Sequence, residues 1–430
     1  MFNNENITEN KGHLFIGGCD CVELAQKYGT PLYVMDEQTV RKNCKLFVSS
    51  MQKHYKKSLV LYASKALNCL EMCRIANDEG MGLDVVSGGE IYTALKAGVP
   101  ASKLYFHGNN KSAAEIEMAV DEKIGTIIVD NIYELEALNL AASKKQVCPK
   151  IMLRIKPGID AHTHDFIRTG QIDSKFGFAL ENGEAYDGVK HALELENVKL
   201  CGLHCHIGSQ IFDDHPFVEA ALVMLKFYKR IKDDFGVELE DLNLGGGFGI
   251  KYIESDDPMA YDKFMAKVSD VVHDYCSSNG LDVPRMLIEP GRSIVGAAGV
   301  TLYTIGAVKE IENVRNYVTV DGGMGDNPRY ALYQSQYKAI VANRADNDED
   351  YVATVGGKCC ESGDLIGENM HIAKPVPGDI LAVLSTGAYN YSMASNYNRI
   401  PRPAMVMVNG DESRIIIKRE TYEDIIRNDV

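Results

Sequence analysis

Eight short apolar runs alternate with amphipathic stretches between residues 57 and 293, and this alternation most limits the folds open to the chain. The runs lie at 58–65, 82–87, 103–108, 126–130, 150–155, 200–207, 242–244 and 285–288. Most are rich in Val, Ile and Leu and apolar at consecutive positions, as strands covered on both faces must be. Between them, 69–77, 90–97, 114–120, 132–142, 217–234 and 258–275 carry apolar residues at helical spacing. Parallel strands with helical crossovers, repeated eight times, predict a (β/α)8 barrel of the TIM type.

Past residue 292 the texture changes. Segments 300–308, 317–320, 351–355, 379–383 and 404–408 read as strands separated by turns, with few helices between them. A second, mostly β domain, a barrel or sandwich, is expected over 295–430. Residues 1–36 are expected to join it, because 31–34 reads as a strand before the barrel begins. The barrel is assigned 37–294. The acidic stretch 345–351 reads as a solvated loop.

With 430 residues, 45% of them hydrophobic, the chain can fill both cores. A formal net charge of -15 opposes nucleic acid or an anionic membrane surface as the main partner. There is no apolar run of 18 residues, and residues 1–10 lack a basic and apolar leader, so a cytoplasmic location is expected. The 11 cysteines, an odd number without a CxxC pair, read as reduced thiols, and no metal site is expected.

Barrel active sites sit at the C-terminal ends of strands, with phosphate sites after strands seven and eight. Four stretches fall there. Tyr62-Ala63-Ser64-Lys65-Ala66 ends strand one, and its lysine would enter the barrel mouth, where desolvation favours a nucleophilic amine. A surface lysine at a strand end is the plainer alternative. In His204-Cys205-His206, which ends strand six, the two imidazoles are two residues apart and share a face. They could be a metal pair, satisfied core histidines, or, for His206, a ring lying against a flat cofactor. Ser209 could donate to a phosphate. Gly245, Gly246, Gly247 and Gly249 follow strand seven and offer a backbone cradle for an anion, or only a tight loop. Glu289-Pro290-Gly291-Arg292 ends strand eight, with a carboxylate for a pyridinium nitrogen and a guanidinium for a carboxylate or phosphate. A surface ion pair is the alternative. A lysine amine, a phosphate cradle and a carboxylate are together what pyridoxal phosphate requires.

These stretches stand in order among others: YASKA (62–66), DVVSGGE (84–90), HGNNKS (107–112), THDFIRTGQIDSKFG (163–177), GLHCHIGSQ (202–210), NLGGGFGI (243–250), EPGRS (289–293), DNPRYALY (326–333), CESGD (360–364) and GAYNYSMASNYN (387–398). The set spans nearly the whole chain and resembles the fold type III pyridoxal-phosphate decarboxylases, specifically those acting on diaminopimelate. The resemblance implies decarboxylation of meso-2,6-diaminopimelate to L-lysine and carbon dioxide, the last step of lysine biosynthesis. It implies pyridoxal 5′-phosphate joined to Lys65, His206 stacked on its ring and Glu289 on its nitrogen. Ser209, Gly245, Gly246, Gly247, the Glu289–Gly291–Arg292 turn and Tyr389 would surround the phosphate. Arg292, Arg329, Tyr333, Glu361 and Tyr389 would hold the substrate, and Cys360 would donate the proton, with Cys359 beside it as a rival. Cys360 and Glu361 would come from the partner subunit of a homodimer. The distal end of diaminopimelate carries a carboxylate, so Arg329 is the residue that would separate it from ornithine.

The runner-up is a polyamine-pathway decarboxylase of the same fold, acting on carboxynorspermidine or ornithine. An alanine-racemase-like enzyme would place an arginine where Glu289 stands. A single-barrel cofactor carrier would lack the residues after 295. A metal hydrolase on His204 and His206 is the remaining alternative.

Overall fold

The computed structural model describes residues 4–159 and 173–430. The THDFIRTGQ part of the fourth motif, with His164, therefore lies outside the described residues. The chain divides into two compact units: Cys44–Gly249 with Pro258–Gly291, and Met1–Asn43 with Ile250–Asp257 and Arg292–Val430.

The first of these is the barrel. Its strands are Ser58–Ala63, Gly82–Val85, Leu104–Phe106, Thr126–Val129, Lys150–Lys156, Lys199–Cys205, Asp241–Asn243 and Arg285–Ile288, each parallel to the next. The ring closes where Met286, Leu287 and Ile288 pair with Ser58, Leu59 and Val60. A two-residue strand, Phe178–Ala179, lies beside the fifth. Leu61, Tyr105, Ile128, Met152, Cys201 and Leu287, from six of the eight strands, pack together across the barrel. Such filling makes the barrel a core and leaves the strand ends for chemistry.

The crossover helices start where the sequence provides a cap. Ser112 accepts from the Glu115 N–H while the Glu115 carboxylate reaches back, closing a capping box ahead of Ala113–Asp121. Ser87 and Asn131 cap Gly88–Lys96 and Ile132–Lys145 by accepting from the Glu90 and Glu134 N–H groups, without the reciprocal bond. Among the described residues no helix is long and apolar enough to cross a membrane.

One element of this unit carries a stability prediction. Lys111, in the HGNNKS motif, is buried with its ammonium 2.7 Å from the Glu134 carboxylate. It also donates to the Gly108 and Ile128 carbonyls at 2.9 and 2.7 Å. Lys111→Met would strand Glu134 in the interior. A loss of about 3 kcal/mol in urea unfolding is expected, the usual result of removing one member of a buried pair.

The second unit is mostly β. Its sheet path runs Leu365–Ile372, Tyr351–Gly356, Arg315–Val320, Gly299–Ile311, Leu32–Asp36, Ala404–Asn409, Glu412–Ile417. Ile380–Leu384 also pairs with Gly299–Ile311, and Ala339–Val341 pairs with it. The N-terminal strand Leu32–Asp36 is antiparallel to Gly299–Ile311 and parallel to Ala404–Asn409. The expected barrel-plus-β architecture is therefore the one observed.

Candidate active site

In the barrel unit, strand one stops at Ala63, and Ser64–Ala66 makes a single tight turn. Ser64 and Ala66 are buried, whereas Lys65 between them is exposed. The turn is tied down on both sides. The Ser64 hydroxyl donates to Glu90 Oε2 at 3.0 Å, and the Ala63 N–H donates to the Pro290 carbonyl at 3.0 Å. Gly291 lies on this turn, since an added Cβ would come within 2.9 Å of Ala63. The strand-eight turn and the lysine are thus adjacent.

Glu289 is 6% exposed and surrounded by donors. Asn243 Nδ2 donates to its Oε1 at 2.7 Å, and His107 Nε2 is 2.9 Å from the same oxygen. His204 Nε2 lies 3.2 Å from Oε2. The two imidazoles meet edge to face at 4.8 Å. Burial alone would raise the Glu289 carboxyl, but His107 and His204 reverse this and hold it well below the usual range. His204 is itself neutral at pH 7, because burial pushes it down to about 4. His107, His204 and Glu289 place their donor atoms within 4.8 Å of one another, close enough for a metal. His206 is not in that set, so the metal reading based on His204 and His206 as a pair is not assembled.

His206 turns to the glycine loop instead. The Gly246 N–H donates to His206 Nδ1 at 3.2 Å, which makes Nδ1 the acceptor and puts the proton of the neutral ring on Nε2. Burial first, then the charges of Lys65 and Arg154, push this ring well below its usual value. The loop packs closely on its surroundings. A Cβ on Gly246 would meet the Glu289 carbonyl at 2.1 Å, and one on Gly247 (φ +113) would meet the Gly208 carbonyl at 2.4 Å. These glycines are demanded by neighbouring backbone, whatever anion the loop holds. The loop is also joined to the segment after strand six, where the Ile211 N–H donates to the Gly247 carbonyl at 2.9 Å. Ser209 lies in that segment and is half-buried.

The remaining expected residues belong to the β unit. Arg292 and Arg329 are both buried there, drawn together by Tyr252. Arg292 Nη1 donates to the Tyr252 hydroxyl at 2.7 Å, and Arg329 lies over the Tyr252 ring at 4.5 Å. Arg292 also lies over the Tyr389 ring at 4.7 Å. Arg329 donates to the Tyr337 hydroxyl and to Ser335 Oγ, each at 3.1 Å. Burial would raise the Tyr252 phenol, but the two guanidiniums hold it below its ordinary value. Among the described residues no carboxylate bonds to Arg329, so a buried cation is held by hydroxyls and rings alone. Tyr333 ends the short helix Arg329–Tyr333 and is half-buried.

Cys360 and Glu361 sit on a separate loop between Tyr351–Gly356 and Leu365–Ile372, and both are exposed. Asp364 organises the loop, accepting from the Cys359 N–H at 2.6 Å and the Met324 N–H at 2.5 Å. The Cys360 N–H donates to Asn398 Oδ1 at 2.7 Å. The adjacent thiols differ in exposure, Cys359 being half-buried and Cys360 exposed. Burial and then Asp364 push Cys359 up to about 11, so it is held as an inert thiol.

Sequence reasoning missed His107, Asn243, Tyr252 and Tyr337 as members of these groups. Two of them lay inside quoted motifs: His107 opens HGNNKS just past strand three, and Asn243 opens NLGGGFGI. The rule that barrel chemistry gathers at strand ends would have found both. Tyr252 and Tyr337 carry no such signal.

Residues 38–296 match the family model described as pyridoxal-dependent decarboxylase, pyridoxal binding domain. The chain is 49% identical over 431 residues to diaminopimelate decarboxylase of Bacillus subtilis (strain 168), covering 100% of this chain and 98% of that one. It is 51% identical over 419 residues to that of Bacillus methanolicus, covering 97% of each. Among solved structures, diaminopimelate decarboxylase from M. jannaschii in co-complex with L-lysine matches with a TM-score of 0.92 and 36% identity, covering 100% of this chain and 99% of the other.

Proposed function

We infer the function from family membership together with the site: the chain belongs to the diaminopimelate decarboxylases, a branch of the pyridoxal-dependent decarboxylases. It removes carbon dioxide from meso-2,6-diaminopimelate to leave L-lysine, and its cofactor is pyridoxal 5′-phosphate. The observation that carries the substrate is Arg329, a buried guanidinium that no carboxylate of the described residues neutralises. A buried cation of this kind is stabilised by an anion brought by the substrate. The distal carboxylate of diaminopimelate supplies one, whereas ornithine and carboxynorspermidine present a distal cation.

The barrel residues fit the cofactor. Glu289 is an ionised carboxylate whose Oε2 has a single hydrogen-bond partner among the described residues, so it can accept from a pyridinium N–H. Lys65 is exposed within a buried turn, with room for its amine to bond to an aldehyde. When bound, pyridoxal phosphate supplies that aldehyde and a ring that takes up the electrons released as the carboxylate leaves.

In this reading Lys65 would hold the cofactor through its amine and give way to the substrate amine. His206, a neutral ring fixed through Nδ1, would lie against the pyridine face. Ser209, Gly245, Gly246, Gly247, Gly291, Arg292 and Tyr389 would be the residues that hold the phosphate. Arg292, Arg329, Tyr333, Tyr389 and Glu361 hold the substrate, and Cys360 delivers a proton from its thiol to the α-carbon. The exposure of Cys360 and Glu361 on one chain supports a homodimer in which they serve the partner's site. The cytoplasm is the proposed location, and nucleic acid is no partner at a net charge of -15.

Incubation of the protein with meso-diaminopimelate and pyridoxal phosphate is expected to yield L-lysine, seen by chromatography. No L-lysine would overturn the assignment. Cys360→Ala is expected to lower kcat by about a hundredfold, the scale of a lost proton donor, and Cys359→Ala by less than about threefold. Steady-state kinetics of the two variants side by side checks this. Equal losses would remove the distinction between the thiols.

A further inference from the structure

Glu289 is more heavily coordinated than a pyridinium partner needs to be. Three side chains from three other strand ends converge on it: His107 after strand three, His204 on strand six and Asn243 on strand seven. Two of them are imidazoles, each presenting Nε2, and both are buried. Nothing in the reading above uses either ring.

We propose that His107 and His204 are positioning residues for Glu289, which together with Asn243 hold its carboxylate so that Oε2 faces the cofactor's ring nitrogen. The proposal rests on the assignment of Glu289 to that nitrogen.

A carboxylate offers four acceptor sites, two on each oxygen. Oε1 accepts from Asn243 Nδ2 at 2.7 Å and has His107 Nε2 pressed to within 2.9 Å of it. Oε2 has His204 at 3.2 Å and, among the described residues, room for one more donor. Two hydrogen bonds and the His107 contact therefore fix which oxygen the cofactor would meet and how the carboxylate plane is turned.

Charge gives the second reason. Asp84 is also buried, with Oδ1 3.7 Å from His107 Nε2, the nitrogen that contacts Glu289. Two carboxylates sharing a dry site would drive one of them to take a proton. A protonated Glu289 would become a donor itself and could not accept from a pyridinium N–H. The His107 ring stands between the two, with Nε2 nearer Glu289, and keeps the carboxylates apart. His204 contributes a dipole without adding a cation that would repel the pyridinium. Neutral donors stabilise the carboxylate and leave its negative charge for the cofactor.

The test compares His204→Leu with His204→Gln, because a glutamine amide can place an N–H near the lost Nε2. Cofactor dissociation during dialysis, the visible spectrum of bound cofactor, kcat and KM are measured with thermal unfolding. His204→Leu is expected to weaken cofactor retention and lower kcat by about thirtyfold each, with KM changed less than about threefold. The band of the remaining bound cofactor should shift as Glu289, the acceptor of its ring nitrogen, is less firmly held. His204→Gln should recover most of both losses. A merely structural histidine would lower the melting temperature in both variants without that split or rescue. If His204→Leu does not fold, His107→Leu against His107→Gln carries the same comparison from the other ring. Unaltered retention, spectrum and kcat in the Leu variants, beside a wild type that binds cofactor and makes L-lysine, would overturn the proposal alone. A wild type that takes up no cofactor would overturn the functional reading and the proposal together.

Discussion

Lys65→Ala is expected to abolish the visible absorption of the lysine-bound cofactor and to lower decarboxylation by at least about 10³-fold. The side chain is asked to do two jobs, anchoring the cofactor and exchanging with the amine of substrate and product, and losses of this order follow removal of a nucleophile or acid–base group. Stability should hardly move. Lys65 is exposed, and the turn that carries it is held by Ser64 on Glu90 and by Ala63 on Pro290, none of which the substitution touches. Surface changes of this kind cost within about 0.5 kcal/mol. The informative result is therefore a folded protein of unchanged melting temperature with no cofactor band. A variant that keeps the band and turns over would remove Lys65 from the mechanism.

Arg329→Ala is the second large effect, and it should fall on the substrate. Loss of a buried, hydrogen-bonded partner from a charged pair costs about 2–5 kcal/mol, which would raise KM for diaminopimelate by about thirtyfold or more. Cofactor affinity should stay within about twofold of wild type. Arg329 also stacks on Tyr252 and Tyr337, so some stability is lost with its packing. Arg329→Lys separates the two effects: it keeps the charge and much of the stem but loses the two-pronged fork. It should keep near-normal stability and still bind substrate poorly. Equal losses of cofactor and substrate affinity in Arg329→Ala would contradict the role.

The barrel was legible because its strands are continuous apolar runs set at regular intervals, a pattern few other folds share. Elements that lack such a signature were missed. Helix Glu184–Glu194 carries Gly188 in its interior, a residue that argues against a helix, yet a Cβ there would press on the Phe178 ring at 3.0 Å. Tertiary packing demanded a glycine where propensity disfavours it. Strand Glu412–Ile417 ends the sheet path and is exposed along much of its length, so no alternation marks it.

The site divides in the same way. Lys65, His206 and Glu289 could be read because each is a polar residue closing an apolar strand. Tyr252 could not. It stands among Gly249, Lys251 and Glu254 with nothing in its spacing to suggest that two buried arginines gather on it. That arrangement depends on long-range packing, which local sequence does not record.

The central claim is that the distal carboxylate of the substrate is what the protein recognises. Its most direct test is carbon dioxide release from meso-diaminopimelate, L-ornithine, L-lysine and carboxynorspermidine, assayed side by side with added pyridoxal phosphate. Release from meso-diaminopimelate alone, with an equal amount of L-lysine formed, is the predicted result. Release from ornithine or carboxynorspermidine in its place would contradict the claim and return Arg329 to a structural role.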